Sequence, residues 1–74
     1  MIQPQLQALR QQAMALPLQP GVYIMKDAAD RIIYIGKAKK LKNRVSQYFG
    51  SDTNHTEKVR QMVAHVDHFD YIVV

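Results

Sequence analysis

With 74 residues, no cysteine and a formal net charge of +4, the chain can form one small domain without disulfides or thiolate zinc sites. The sequence contains no run of about 18 apolar residues, which a membrane span would need. It also has no N-terminal basic segment followed by an apolar one, which a secretory leader would need. These properties favour a protein of the reducing cytoplasm without membrane contact, and the positive charge favours a polyanionic partner.

The N-terminal segment predicts a short amphipathic helix that leads into an extended stretch. Over residues 3–16 the apolar side chains recur at helical spacing, at Leu6, Leu9, Ala13 and Leu16. Pro17 and Pro20 then exclude a continuous helix. We therefore expect one domain, made of an N-terminal helix in residues 1–16 and a core in residues 17–74.

An antiparallel hairpin is predicted next. Two β-rich runs, residues 21–26 and 31–36, are separated by the turn-prone tetrapeptide Asp-Ala-Ala-Asp. Side chains alternate across a strand, and both faces of these runs are largely apolar, which is typical of strands covered on each side. Tyr23 and Tyr34 fall on these neighbouring strands.

The hydrophobic period changes to that of a helix after Gly36. An apolar stripe that stops before Gly50 predicts the first of two helices, with Leu41, Val45, Tyr48 and Phe49. The second is predicted to have Asn54 as its N-cap, Glu57 completing a capping box, and a buried stripe of Val59, Met62, Val63 and Val66. Residues 68–74 predict a third strand, with one face formed by Phe69, Tyr71 and Val73.

Together these elements predict an α+β fold, a small antiparallel sheet of about three strands flanked by helices. Residues 31–51 carry six cations and no acid, whereas the remainder carries four cations and six acids. Such a positive block is typical of nucleic-acid binding, although solvated lysines on an exposed helix give the same composition. At a junction after Gly36, two phenols, a cationic row and a helix N-terminus are expected to line one pocket.

The spacing of the tyrosine motifs resembles the GIY-YIG nuclease superfamily. Gly21-Val22-Tyr23 is followed, after ten residues, by Tyr34-Ile35-Gly36. The continuation is similar to the N-terminal nuclease domains of the UvrC type, in Lys37-Ala38-Lys39, Leu41, Asn43-Arg44 and Tyr48-Phe49. Leu16-Pro17 before Pro20-Gly21, and the segment Thr56-Glu57-Lys58-Val59, also match this family. The resemblance runs from about Leu16 to Val74.

This resemblance implies a structure-specific DNA endonuclease that hydrolyses phosphodiesters. The side chains that it implies to be catalytic are Tyr23, Tyr34, Lys37, Arg44 and Tyr48. Tyr23 would help to activate the attacking water, either directly or through a proton relay; direct action as a base needs nearby cations that favour its phenolate, and Lys37 and Arg44 could supply that field. Tyr34 would bind near the scissile phosphate, and Arg44 would stabilise charge on the phosphate oxygens.

Two further roles are expected around this site. The backbone at Gly36 is expected to approach the ligand closely, because glycine has no side chain. The side chains expected to hold the DNA backbone away from the cut are Lys39, Lys40 and Lys42.

The resemblance also implies a divalent cation, Mg²⁺ or Mn²⁺, bound by a glutamate on a helix after the third strand. The sequence stops at Val74, before such a helix, and none of its carboxylates stands at the matching place. We therefore expect an incomplete domain without metal ligands, inactive on its own. The family implies damaged double-stranded DNA as substrate, a 3′-side incision in nucleotide excision repair, and UvrB as partner, with UvrA acting upstream.

Two alternatives stay open: a stand-alone UvrC-like repair nuclease, and a catalytically silent DNA-binding module whose basic helix grips phosphate. A downstream helix with a glutamate would favour an enzyme. Among the histidines, His65 and His68 are three residues apart and could share a metal, but surface or capping roles are favoured. His55 is expected to be solvated.

Overall fold

The computed structural model describes residues 4–50 and 55–74. Within these ranges the elements are α1 (Pro4–Met14), β1 (Gly21–Lys26), β2 (Ile32–Ala38), α2 (Leu41–Tyr48), α3 (Glu57–His65) and β3 (His68–Val73). The strands form one antiparallel sheet in the order β2-β1-β3. The predicted α+β fold is therefore confirmed. No helix in the described ranges is long and apolar enough to cross a membrane.

The core lies between one face of the sheet and the helices α1 and α2. Its buried side chains are Leu9, Ala13, Leu16, Tyr23, Met25, Leu41, Val45, Phe49 and Val66. The stripe predicted for α2 is confirmed, since Leu41, Val45 and Phe49 are at most 2% exposed. Of the stripe predicted for the N-terminal helix, Leu9, Ala13 and Leu16 are buried and Leu6 is half-buried, but the helix ends at Met14, so Leu16 lies beyond it. The two helices pack on each other, and α2 packs on β1.

The opposite face of the sheet is open among the described residues. Ile35 and Ile72 are 55% and 57% exposed, and they pair with Ile24 and Val22 of β1. The prediction that both faces are covered is therefore wrong for this part of the chain. The reason is that α1 and α2 pack against the face that carries Tyr23. The sequence pattern of an apolar strand does not reveal whether another element covers its second face.

β2 extends further than predicted. Its pairing with β1 continues to Ala38, so Gly36 lies inside the strand, directly opposite Tyr23. Lys40 has an extended backbone and is the N-cap of α2. The strand-to-helix junction predicted at Gly36 therefore lies at residues 39–40 instead. The reason is that the backbone of β2 stays paired with β1 beyond the last residue of the apolar run.

α3 begins at a different cap from the predicted one. The hydroxyl of Thr56 accepts a hydrogen bond from the N–H of Val59, 3.2 Å away, and Glu57 is already the first helical residue. The predicted capping box of Asn54 and Glu57 is therefore wrong, and Asn54 lies outside the described residues. Of the predicted stripe only Val66 is buried; the half-buried members are Val59, Met62 and Val63.

Charged side chains join the turn between β1 and β2 to the start of β3. Oδ1 of Asp27 accepts hydrogen bonds from two backbone N–H groups of the turn. Asp30 adopts a left-handed backbone with a φ of 64°, which Asp tolerates better than most residues. Its Oδ1 lies 2.7 Å from Nε2 of His68, and Nδ1 of His68 lies 2.9 Å from Oδ2 of Asp67. The turn and β3 are thus held together by His68.

Candidate active site

Three tyrosines from two strands and a helix meet at the edge of the core. The ring centroids of Tyr23 on β1 and Tyr34 on β2 are 6.0 Å apart. The ring of Tyr48 on α2 lies 5.7 Å from Tyr23 and 6.4 Å from Tyr34. The hydroxyl oxygens of Tyr23 and Tyr48 are hydrogen-bonded at 2.8 Å. Because Tyr23 is buried and Tyr34 is 42% exposed, this tyrosine cluster leads from the core to the surface.

The missing side chain of Gly36 makes room for the ring of Tyr23. A Cβ on Gly36 would lie 2.9 Å from Cε2 of that ring and closer still to its hydroxyl end. Carbon atoms in folded proteins do not pack that closely without displacing a neighbour. The glycine of the Tyr-Ile-Gly motif is therefore required by the packing of Tyr23. The expected approach of a ligand to its backbone stays a prediction.

Burial controls the protonation of the tyrosine cluster. Removal from water raises the pKa of the Tyr23 hydroxyl far above its ordinary value of 10.0, the hydrogen bond to Tyr48 raises it further, and Arg44 lowers it only slightly. The pKa of Tyr48 is also raised, chiefly by burial. The field that Lys37 and Arg44 could supply is therefore not what dominates at Tyr23, because burial outweighs Arg44. Both hydroxyls are neutral at pH 7.

Arg44 reaches the tyrosine cluster, whereas Lys37 points elsewhere. Arg44 and Tyr48 line one cleft of about 620 Å³, which we call the tyrosine cleft and which is also bounded by Gln47. Lys37 pairs with Val22, so its side chain leaves the sheet on the face opposite to Tyr23. Of the two cations predicted to act on Tyr23, Arg44 is therefore the one near the tyrosine cluster. Lys37 points away because β2 continues beyond Gly36 and makes Lys37 a strand residue.

A second cleft of about 980 Å³ lies beside the end of β2 and the start of α2. We call it the lysine cleft, since its basic side chains are Lys37, Lys39, Lys40 and Arg44. Arg44 and Gln47 line both clefts, so the two clefts adjoin at α2, and Tyr48 is the member of the tyrosine cluster that lines one of them. Lys42 is half-buried and is not among the residues that line the lysine cleft. The structure therefore groups Lys39 and Lys40, but not Lys42, with this cleft.

The side chains in the tyrosine cleft that were not assigned to a site from the sequence include Arg10 of α1 and His55. His55 is half-buried rather than solvated as expected, because its Nε2 lies 3.0 Å from the carbonyl oxygen of Gln47 and its ring lies 6.2 Å from that of Tyr48. A helical wheel places Arg10 beside buried Leu9. Only the packing of α1 on α2 brings that edge of the helix to the cleft.

The side chains at the tyrosine cluster do not fit a divalent cation. Mg²⁺ prefers oxygen ligands that include carboxylates, and the groups here are phenols and a guanidinium. In residues 4–50 and 55–74, no group of three or more His, Cys, Asp or Glu side chains is arranged to hold a metal. His65 Nδ1 lies 2.8 Å from the carbonyl oxygen of Gln61, and His68 contacts Asp30 and Asp67. These are the surface and capping contacts favoured for the two histidines.

Comparison with known proteins identifies the family. The sequence profile of the UvrC-like GIY-YIG domain matches residues 19–74. The chain belongs to the UvrC-like GIY-YIG family. UvrABC system protein C of Clostridium kluyveri is 59% identical over 63 residues, and that of Clostridioides difficile is 60% identical over 58 residues. These alignments cover 85% and 78% of this chain but only 10% of each relative.

Solved GIY-YIG domains have the same fold. The N-terminal endonuclease domain of UvrC from Thermotoga maritima, bound to magnesium as its catalytic divalent cation, matches with a TM-score of 0.76 and 40% identity. The match covers 90% of this chain and 71% of that one. A tyrosine-to-phenylalanine mutant of the same domain, also bound to its catalytic cation, gives a TM-score of 0.76 at 39% identity, covering 90% of this chain and 70% of that one. The predicted membership of the UvrC-type GIY-YIG group is confirmed.

Proposed function

We propose that this chain is the N-terminal endonuclease region of a UvrC-type excinuclease, which cuts DNA by phosphodiester hydrolysis. The observation that carries this proposal is the hydrogen bond between Tyr23 and Tyr48 inside the tyrosine cluster, next to Arg44. The proposed substrate is damaged double-stranded DNA, cut on the 3′ side of the lesion during nucleotide excision repair. Family membership supports this substrate, UvrB as the partner, and UvrA as the upstream damage sensor.

In this proposal the tyrosines act as neutral phenols. Tyr23 accepts a proton from the attacking water as it passes its own proton to Tyr48, which is only half-buried and can release a proton toward solvent. The exposed hydroxyl of Tyr34 donates a hydrogen bond to a phosphate oxygen. Arg44 stabilises the negative charge that builds on the phosphate in the transition state. The raised pKa of Tyr23 supports a relay of this kind over attack by a preformed phenolate base.

We propose Mg²⁺ or Mn²⁺ as the cofactor of the complete domain, with ligands other than the described side chains. Because those side chains provide no carboxylate set for the cation, we propose that the 74-residue chain does not cut DNA alone. A DNA-binding module without catalysis is the second candidate. It is favoured by the lysine cleft, whose cations form no ion pair among the described residues.

Nicking of supercoiled plasmid with magnesium or manganese tests the proposal. The 74-residue chain is compared with a version extended to the length of the solved Thermotoga maritima domain, and only the extended version is expected to cut. In that version Tyr23→Phe should slow cutting by about 100-fold or more, because it removes the proton relay. Its free energy of unfolding should fall by only about 0.5–1.5 kcal/mol, the net value of one hydrogen bond.

Tyr71→Phe is the matched control, since Tyr71 is 44% exposed on β3 and removal of its hydroxyl should leave cutting intact. Equal cutting by the Tyr23→Phe protein would remove Tyr23 from the mechanism. Salt-sensitive DNA binding by both chain lengths, with no cutting by either, would favour the silent module.

A further inference from the structure

Eight of the ten Lys and Arg side chains of the described residues fall into two groups; the other two, Lys42 and Lys58, form no ion pair within the described ranges and line neither cleft. The first group has three members, near the β1–β2 turn and on α3, in ion pairs with N–O distances of 2.8–3.3 Å: Lys26 with Asp70, Arg31 with Asp27, and Arg60 with Glu57. Those that line the two clefts form no ion pair within the described ranges: Arg10, Lys37, Lys39, Lys40 and Arg44. Five of the seven cations that form no ion pair with a described residue thus line the two clefts, where an external polyanion can neutralise them.

Arg10 joins this group from a different element. Its neighbour Leu9 is 2% exposed and anchors α1 in the core, so the backbone at Arg10 is held in place. A Cβ on Gly50 would lie 3.8 Å from Nε of Arg10, which puts the guanidinium beside the end of α2. Arg10 precedes residue 19, where the family match begins, so the family motif does not include it.

We propose that the tyrosine cleft is a second phosphate subsite for a nucleic-acid strand, in which Arg10 binds the sugar-phosphate backbone. Arg44 and Gln47 line both clefts, so a strand that crosses α2 at Arg44 has the lysine cleft on one side and Arg10 on the other. The rings of Tyr48 and His55 form part of the same wall and offer stacking surfaces to a base or sugar. This inference rests on the proposed function, because it takes a nucleic acid as the ligand.

A purely structural role for Arg10 makes a different prediction. A cation next to a helix C-terminus is stabilised by the negative end of the helix dipole. Loss of that contact alone would lower the melting temperature of the chain and leave DNA affinity unchanged. The experiment must therefore record both quantities.

The test is fluorescence anisotropy of a labelled single-stranded oligonucleotide of about 12 nucleotides, a length within known single-strand site sizes, titrated with the 74-residue chain. Arg10→Gln should weaken binding by about 3- to 10-fold and reduce the slope of log K against log salt by about one, as expected for one lost phosphate contact. Arg31→Gln is the matched control, because it removes the same charge at the β1–β2 turn, where Arg31 pairs with Asp27. Its binding should stay within about twofold of the parent.

The outcomes separate this inference from the proposed function. If the parent binds with strong salt dependence, Lys40→Gln weakens it, and Arg10→Gln behaves like Arg31→Gln, the subsite is overturned and the proposed function stands. A parent chain without salt-dependent binding of the oligonucleotide would overturn the subsite, while the nicking assay on the extended version decides the proposed function separately. A lower melting temperature of the Arg10→Gln protein with unchanged affinity would assign Arg10 the structural role and overturn the subsite.

A crosslinking measurement covers the case in which Arg10→Gln does not fold. The chain has no cysteine, so Arg10→Cys and Arg31→Cys each introduce a single thiol. DNA that carries a mixed-disulfide tether on a backbone phosphate should exchange with the protein thiolate, releasing the small thiol of the tether, faster with the first variant than with the second. Equal rates would overturn the subsite.

Discussion

Gly36 connects the sequence motif to the packing of the site. Tyr23 opposite it is 2% exposed and is tied to Tyr48 by a hydrogen bond, so its ring has no room to move away from a new side chain. Gly36→Ala should therefore lower the free energy of unfolding by about 1–3 kcal/mol, the usual cost of overpacking a core. Urea denaturation followed by circular dichroism measures this loss.

Gly50→Ala is the control for that measurement. A Cβ there would lie 3.4 Å from the Ser46 carbonyl oxygen, an ordinary contact, and Gly50 does not have a positive φ. Its effect should stay within about 0.5 kcal/mol. Equal losses at the two glycines would mean that backbone freedom, rather than collision with the Tyr23 ring, explains the result at Gly36.

The contacts of His68 between the β1–β2 turn and β3 should make the stability of the chain depend on pH near neutrality. Hydrogen bonds to Asp67 and then to Asp30 raise the pKa of His68 above its ordinary 6.5, and Lys26 and Asp70 form an ion pair on the same strands. A raised pKa means that folding favours the imidazolium. Its contribution to stability is therefore complete below about pH 6.5, the unfolded value, and is lost as the pH rises through the folded pKa.

We accordingly expect the melting temperature of the chain to fall as the pH is raised from just below the unfolded value to well above it. His68→Gln should flatten this dependence, and Asp30→Asn should reduce it in part. High salt should also reduce it, because His68 is partly exposed and its charges are screened. A His68→Gln protein with the parental pH profile would show that the two carboxylates do not act on folding through this histidine.

Periodicity predicted the helices and strands well, because the stripes of α1 and α2 and the β-rich runs of the hairpin are local properties. It misplaced features that depend on competition between neighbours. Thr56 and Asn54 are both good capping residues, and the end of β2 is determined by its pairing with β1. For the site, motif spacing grouped Tyr23 with Arg44, but the direction of the Tyr23 pKa shift depends on burial in the assembled core.

α1 is part of the single core, although the family match begins after it. Leu9 and Ala13 are 2% and 0% exposed and belong to the same cluster as Val45 of α2. Leu9→Ala should cost about 2–5 kcal/mol through lost burial and a residual cavity. A core of this size supplies only about 3–5 kcal/mol, so the variant should be largely unfolded in a thermal melt followed by circular dichroism.

Leu18→Ala is the matched control, since the same truncation at a side chain that is 57% exposed should change stability by less than about 0.5 kcal/mol. The Leu9→Ala protein should also lose DNA binding, because both clefts depend on α2 and Arg10 is positioned by α1. Arg10→Gln, in contrast, should weaken binding in a chain that stays folded. If Leu9→Ala melts like the parent, α1 is peripheral, and nothing then holds Arg10 at the tyrosine cleft.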